Sequence, residues 1–100
     1  MSAPKVPKIS RILPKNLVGP RVREARKAYP GGLTQDQLSG RLAALTVTID
    51  RPGIAKIELG IRQVYDTELA ALAQALKVDV RWLLGMQDSG GPANGEGRRR

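Results

Sequence analysis

The chain has 100 residues, with 17 Lys plus Arg against 9 Asp plus Glu, a net charge of +8, and neither His nor Cys. This length predicts one small domain. Without Cys and His there is no disulfide, no thiolate or imidazole metal ligand, and no hydrolase of the Ser-His-Asp or Cys-His kind. We therefore expect no enzyme activity, no metal and no cofactor. The charge indicates a polyanionic partner, and no apolar stretch approaches the roughly 20 residues that would span a membrane.

The excess positive charge is concentrated at the two ends of the chain. Residues 1–15 carry four cations, no acid and three prolines, which predicts a flexible basic N-terminal arm. Residues 87–100 are rich in glycine and end in three arginines, which predicts a disordered tail. Residues 16–86 remain as the folded domain, and within them residues 17–84 have a net charge of only +3. Basic ends that merely keep the protein soluble are the alternative interpretation.

Two helix starts are indicated in the first half of the domain. An apolar spacing through Val18, Val22 and Ala25 predicts a first helix, capped by Asn16 and ending before Pro30. The second helix has the clearest start in the chain. Thr34 and Gln37 form a capping box, and Leu33 and Leu38 stand at the positions of a hydrophobic staple.

Three further helices are predicted in the second half. Asp50 is the expected cap of the third, whose apolar side consists of Ile54, Ile57 and Ile61 and which Gly60 ends or bends. Asp66 is expected to cap the fourth helix and Asp79 a short fifth, which spans 80–84 and is closed by Gly85. The β-branched residues 46–48 have no partner run, so we interpret them as a loop. The predicted fold class is all-α.

Four stretches of this sequence together resemble the Cro and phage-repressor (XRE-like) helix-turn-helix domain. They are Arg23–Lys27 (REARK), Leu33–Leu38 (LTQDQL), Ile54–Gly60 (IAKIELG) and Glu68–Gly85 (ELAALAQALKVDVRWLLG). The resemblance covers residues 16–86 and implies a compact five-helix, lambda-repressor-like bundle. Helices two and three would form the motif, with a recognition helix at about residues 50–59 lying in the DNA major groove.

The spacing of the motif departs from the usual pattern. The usual register places the first buried residue of helix three 14 positions after Gln35, at Ile49, but it then assigns Gly53 to the position of a glutamate. A shift of five residues places Ile54 at the buried position and Glu58 at the acid. We therefore expect an unusually long turn between helices two and three, with the extra length within residues 43–48.

The resemblance also implies roles for three residues of the motif's framework. It pairs Arg26 with Glu58 as a structural ion pair, the alternative being two solvated surface charges. It places Gln35, at the start of helix two, against a DNA phosphate, a position where the amide could also act as a simple cap.

The resemblance implies that the exposed face of helix three reads the bases. Arg51 and Lys56 are the hydrogen-bonding candidates, both suited to guanine or to phosphate. Pro52 and Ala55 could pack on thymine methyl groups, and Thr48 in the long turn could assist.

Two more basic positions complete the predicted DNA contacts. Arg62 follows Gly60 in the loop where the family often sets a basic residue against the DNA backbone. Lys15 belongs to the basic arm, which could lie along phosphates or reach a minor groove together with Lys5, Lys8 and Arg11.

The charge and the resemblance together favour a sequence-specific DNA-binding transcription regulator, with double-stranded DNA as its partner. A repressor of bacterial or phage origin, acting as a homodimer in the cytoplasm at the nucleoid, is the implied form. Two alternatives stay open. One is a protein-interaction module such as an antitoxin or coactivator, and the other is a nonspecific nucleic-acid binder.

Overall fold

The computed structural model describes residues 13–92, which contain five α-helices and no strand. The helices are α1 (Gly19–Ala28), α2 (Gln35–Ala44), α3 (Arg51–Glu58), α4 (Asp66–Leu76) and α5 (Val80–Leu83). The predicted all-α, five-helix fold is confirmed. Predictions made for residues 1–12 and 93–100, which include Lys5, Lys8, Arg11 and the terminal arginines, lie outside the described residues. No helix within 13–92 is long and apolar enough to cross a membrane.

One apolar core unites the five helices. Helix α3 packs on both α1 and α2, and α4 packs on α1, α2 and α5. The side chains with almost no solvent exposure are aliphatic and come from every helix: Val22, Leu38, Leu42, Ile54, Ile57, Leu72 and Leu83. Burial of each such side chain contributes about 1.5–3 kcal/mol to the free energy of folding. The core therefore holds α3 in place through its buried side.

The starts of α2, α3 and α5 agree with the sequence prediction. The hydroxyl of Thr34 accepts from the backbone N–H of Gln37 at 3.0 Å, and the Gln37 side chain accepts from the N–H of Thr34 at 2.8 Å. Asp50 accepts from the N–H of Gly53 at 2.9 Å, and Asp79 accepts from that of Arg81 at 2.8 Å. Each of these caps is local in sequence and satisfies an N–H that the helix itself leaves without a partner.

The start of α4 differs from the prediction. Asp66 is the first helical residue, and the N-cap is Tyr65. The carboxylate of Glu68 accepts from the N–H of Tyr65 at 3.0 Å, which satisfies the helix start from within the first turn. The prediction of Asp66 as the cap is therefore wrong by one residue.

The end of α3 also differs, because the helix stops before Ile61. Its last residue is Glu58, and Gly60 has a φ of +80°, a left-handed conformation that glycine adopts without strain. Ile61 consequently leaves the helical face and is 56% exposed, so its predicted place on the apolar side of α3 is wrong.

The first residues of the predicted tail contact the end of the domain. The carbonyl of Gly90 accepts from the N–H of Asp79 at 2.8 Å. Gly91 lies so close to the indole of Trp82 that a Cβ there would come within 2.7 Å of the ring. Arg21 of α1 donates to the carbonyl of Gln87 at 3.1 Å. Contacts with α1 and α5 therefore extend as far as Gly91.

Candidate nucleic-acid interface

Six residues, 45–50, connect α2 to α3, and the connection is fixed at both ends. Thr46 adopts a left-handed conformation with φ +63°, and its N–H donates to the carbonyl of Ala43 at 2.9 Å. The N–H of Val47 donates to the carbonyl of Leu42 at 2.9 Å, which completes the pattern that often closes a helix around a glycine. At the other end Ile49 is buried, and its carbonyl accepts from the Ser39 hydroxyl at 2.7 Å. The long connection is thus an ordered part of the motif.

The short helix α3 has one buried and one exposed side. Ile54 and Ile57, the residues that the shifted register places at the buried positions, have no measurable exposure. Arg51, Pro52 and Lys56 are exposed, and Ala55 is half-buried among them. The structure therefore brings four of the predicted base-contacting residues together on the solvent side of one helix, within its eight residues.

Arg51 lies near an acidic residue of α2. Its Nε is 3.8 Å from an oxygen of Asp36, and the two side chains are 62% and 77% exposed. An exposed pair at this distance contributes about 0–1 kcal/mol, because water competes for both charges. Arg51 can exchange this contact for a stronger acceptor at little cost.

A compact polar network joins the end of α3 to α1 and α2. Glu58 accepts from Nε of Arg26 at 2.7 Å and from a terminal nitrogen of the same guanidinium at 3.0 Å. The Arg26 guanidinium also donates to the carbonyl of Leu33 at 2.9 Å, just before α2. The two charged side chains are only 10% and 4% exposed. Such a pair specifies one arrangement of the helices, since a shift of either helix would leave a buried charge without its partner.

Gln35 belongs to the same network. Its Nε2 donates to Glu58 at 3.2 Å, so its amide links the start of α2 to the end of α3. A primary amide has two hydrogens, and the second can serve another acceptor such as a phosphate. A cleft of about 340 Å³ opens beside these groups, lined by Arg23, Gln35, Ala55, Glu58 and Leu59.

Arg62 is held by an acidic side chain of α4. Its two terminal nitrogens donate to the two oxygens of Glu68 at 3.0 and 3.2 Å, and one of them also donates to the carbonyl of Gln63 at 2.8 Å. These hydrogen bonds lower the pKa of the Glu68 carboxyl and raise the pKa of the Arg62 guanidinium, because each charged form is stabilised by the other. The predicted DNA-contacting residue thus has a fixed, two-point orientation that the sequence did not suggest.

Close packing around the start of α3 explains why residue 53 is a glycine. A Cβ at this position would lie 2.9 Å from a methyl carbon of Ile49 and 3.0 Å from the capping oxygen of Asp50. The first turn of α3 therefore packs on the connection that precedes it at a distance that only glycine allows.

The two remaining predicted residues are exposed. Thr48 lies in the connection before α3, and Lys15 lies beside the end of α3, where its N–H donates to the carbonyl of Gly60 at 2.7 Å. Lys15 shares a cleft with Leu13, Leu59 and Ile61, three exposed aliphatic residues that the sequence did not single out for this surface.

The comparison with known proteins agrees with this geometry. A family model described as helix-turn-helix matches residues 22–83, which include α2, the connection and α3. The chain belongs to the Cro/C1-type (XRE-like) helix-turn-helix family of DNA-binding transcription regulators. This family is a DNA-binding regulatory domain rather than a catalytic one. No curated protein and no solved structure matches the chain.

Proposed function

We propose that this chain is a sequence-specific transcription regulator that inserts α3 into the DNA major groove and acts as a repressor of bacterial or phage genes at the nucleoid. The observation that carries the proposal is the two-sided character of α3. Its apolar side is fully buried, its exposed side presents Arg51 and Lys56, and the Arg26–Glu58 pair fixes its orientation. A rigid helix with an exposed basic face is what recognition of base edges requires.

Within this proposal Arg51 and Lys56 read base edges, and Pro52 and Ala55 pack against thymine methyl groups. Arg51 is available because its contact with Asp36 is long and exposed. Both basic side chains are donors, so guanine O6 and N7 are their natural acceptors. Thr48, at the start of the same surface, adds a hydroxyl that can serve a base or a phosphate.

The phosphate contacts come from the edges of this surface. Gln35 offers the second hydrogen of its amide, and Arg62 offers a guanidinium that Glu68 already orients. Lys15 adds a cation beside the end of α3. Such contacts set the position of the protein on the duplex and supply salt-dependent affinity without reading the sequence.

A homodimer is part of the proposal, because one copy of α3 has only two strong hydrogen-bonding readers. Two copies bound to half-sites about one helical turn apart would double the number of base contacts. The predicted site is then a palindrome with a spacing of roughly 10 base pairs between half-site centres.

The experiment that tests the proposed function is selection of bound duplexes from a random DNA pool by the full-length chain. We expect a palindromic sequence to be enriched and bound at least about a hundredfold more tightly than a shuffled duplex. For a variant that removes a cation from the exposed side of α3, such as Arg51→Ala, the control is Lys77→Asn, which removes one positive charge elsewhere in the chain. Lys77 is exposed at the C-terminal end of α4 with φ +59°, a conformation that asparagine tolerates.

Two results would contradict the proposal. Equal affinity for selected and shuffled duplexes would make the chain a nonspecific nucleic-acid binder. No DNA binding, together with a stoichiometric protein complex of measured affinity, would make it an interaction module.

A further inference from the structure

The cleft of about 340 Å³ beside Gln35 lies where α1, α2 and the end of α3 meet. Arg23 of α1 lines it together with Gln35, Ala55, Glu58 and Leu59. Ala55 also belongs to the exposed side of α3, so the cleft opens directly beside the residues that we propose to read bases. Arg23 is exposed, and none of the DNA contacts proposed above uses it.

The acidic residue of this cleft does not make the cleft negative. Glu58 is only 4% exposed, and its oxygens accept from the Arg26 guanidinium and from the amide of Gln35. The charge of Glu58 is thus balanced inside the protein by Arg26. Arg23 takes part in none of the ion pairs formed among residues 13–92. The cleft therefore has an excess positive charge, next to an amide that still has one hydrogen to donate.

The part of α1 that carries Arg23 is held tightly against the end of α3. Gly19, four residues before Arg23, approaches α3 so closely that a Cβ there would overlap the carbonyl oxygen of Ile57 and lie 2.9 Å from that of Glu58. Arg26, three residues after Arg23, is hydrogen-bonded to Glu58 at 2.7 Å. Residues three or four positions apart lie on the same side of a helix. The backbone of Arg23 is therefore fixed beside α3, and its side chain is what remains to be ordered on binding.

The side chain of Asn16 also joins the start of α1 to the end of α3. Its Oδ1 accepts from the N–H groups of Val18 and Gly19 at 3.0 and 2.7 Å, which caps the start of the helix as the sequence predicted. Its Nδ2 donates to the carbonyls of Ile57 and Arg62 at 3.0 and 2.9 Å. A movement of α1 along α3 would break these hydrogen bonds, so the position of the cleft relative to α3 is fixed.

We propose that Arg23 binds a DNA phosphate in this cleft, and that the second amide hydrogen of Gln35 is donated to the same phosphate. This phosphate site rests on the proposed DNA-binding function. The major groove is about 12 Å wide and a helix with its side chains is about 10–12 Å across, so phosphates border a helix that fills the groove. A guanidinium can donate two parallel hydrogen bonds to a phosphate. The contact sets the orientation of α3 in the groove without reading the sequence.

The first test compares the full-length wild type with Arg23→Gln, and a duplex selected by the wild-type protein is the probe. Glutamine removes the charge and keeps a side chain of good helix propensity. We expect binding to weaken about tenfold or more, and the log–log salt slope to fall by about one for each bound copy. The control Lys77→Asn should weaken binding less than about threefold, because a distant surface charge is screened by salt.

A second measurement identifies the phosphate. In each of a series of selected duplexes, one backbone phosphate is replaced by an uncharged methylphosphonate. At one position of each half-site, this replacement should weaken binding of the wild type and of Lys77→Asn about tenfold or more. At that position it should weaken binding of Arg23→Gln less than about threefold, because one partner of the contact is already lost. Gln35→Ala should have reduced sensitivity at the same position.

The outcomes separate the phosphate site from the function. Equal sensitivity of the wild type and Arg23→Gln at every methylphosphonate position would overturn the site and leave the DNA-binding function intact. Reduced sensitivity of Arg23→Gln and Gln35→Ala at two different positions would overturn the shared phosphate. A wild-type chain that binds no selected duplex would overturn the function itself. Urea denaturation measures whether the variants keep the stability of the wild type.

Discussion

Arg26 and Glu58 meet between α1 and α3 through two parallel hydrogen bonds of 2.7 and 3.0 Å, with both side chains almost completely buried. Replacement of Glu58 by Gln keeps the shape but leaves the guanidinium without its counter-charge. We expect the free energy of unfolding, measured by urea denaturation, to fall by about 3 kcal/mol.

The exposed pair Arg51 and Asp36 is the matched control for this prediction. Asp36→Asn should change the free energy of unfolding by less than about 0.5 kcal/mol, because both of these side chains are largely in water. A double variant, Arg26→Met with Glu58→Leu, should return to within about 1 kcal/mol of the wild type, since no buried charge remains. Equal effects of Glu58→Gln and Asp36→Asn would show that burial of the pair is not what matters.

Two glycines inside helices are expected to respond in opposite directions to the same change. At Gly40 of α2 a Cβ would meet no atom within 4 Å, so Gly40→Ala should stabilise the protein by about 0.5–1 kcal/mol through helix propensity. At Gly53 a Cβ would press on buried Ile49 at 2.9 Å, so Gly53→Ala should destabilise it by about 1 kcal/mol or more. Thermal unfolding of the two variants tests the difference. A stabilising Gly53→Ala would contradict the close packing of α3 on its preceding connection.

Thr46 occupies a left-handed conformation that is unfavourable for a β-branched residue. Thr46→Gly should therefore stabilise the protein by about 1 kcal/mol. Thr48→Gly is the control: its φ is not positive, and the gain in unfolded-state entropy should make it neutral or destabilising. If both changes destabilise the protein equally in urea denaturation, Thr46 carries no strain.

The Arg62–Glu68 pair predicts a dependence of stability on pH. The pKa of Glu68 is lowered in the folded state, so its contribution is complete above the carboxyl's unfolded pKa and is lost as the pH falls through the folded one. At pH 7 we expect Glu68→Gln to cost about 1 kcal/mol in free energy of unfolding.

The difference between the wild type and Glu68→Gln should shrink steadily as the pH falls below about 4.3, the ordinary value for glutamate. Urea denaturation at a series of pH values measures it. Arg62→Gln should behave like Glu68→Gln, and a difference that is constant from pH 7 to pH 3 would contradict the lowered pKa.

The features that the sequence predicted correctly depend on residues close together in the chain. The capping box of Thr34 and Gln37, and the cap at Asp50, involve partners three residues away, so their pattern is visible without a fold. The burial of Ile54 and Ile57 follows from helical spacing once the register is shifted. The predicted cap of α4 was wrong by one residue, because Asp66 and Glu68 both suit the first turn of a helix. Only the structure shows that the carboxylate of Glu68 accepts from the N–H of the N-cap residue, Tyr65.

The features that the sequence did not predict depend on residues that are far apart in the chain. The Nδ2 contacts of Asn16 join residues 41 and 46 positions apart, and no local pattern marks them. The pairing of Arg62 with Glu68, six residues further on, also follows no helical or strand spacing. The left-handed conformation at Gly60 removes Ile61 from the helix. No local pattern explains the glycine at position 53, where a Cβ would lie 2.9 Å from a methyl carbon of Ile49.

In the proposed complex, Arg51 on α3 reads a base rather than a phosphate. The measurement that tests it most directly is a titration of wild type and Arg51→Ala against the selected duplex and against a set of duplexes with single base-pair changes. We expect Arg51→Ala to weaken binding to the selected duplex by about 1–3 kcal/mol and to abolish discrimination at one position of each half-site. A uniform loss across every duplex, with discrimination unchanged at all positions, would contradict it.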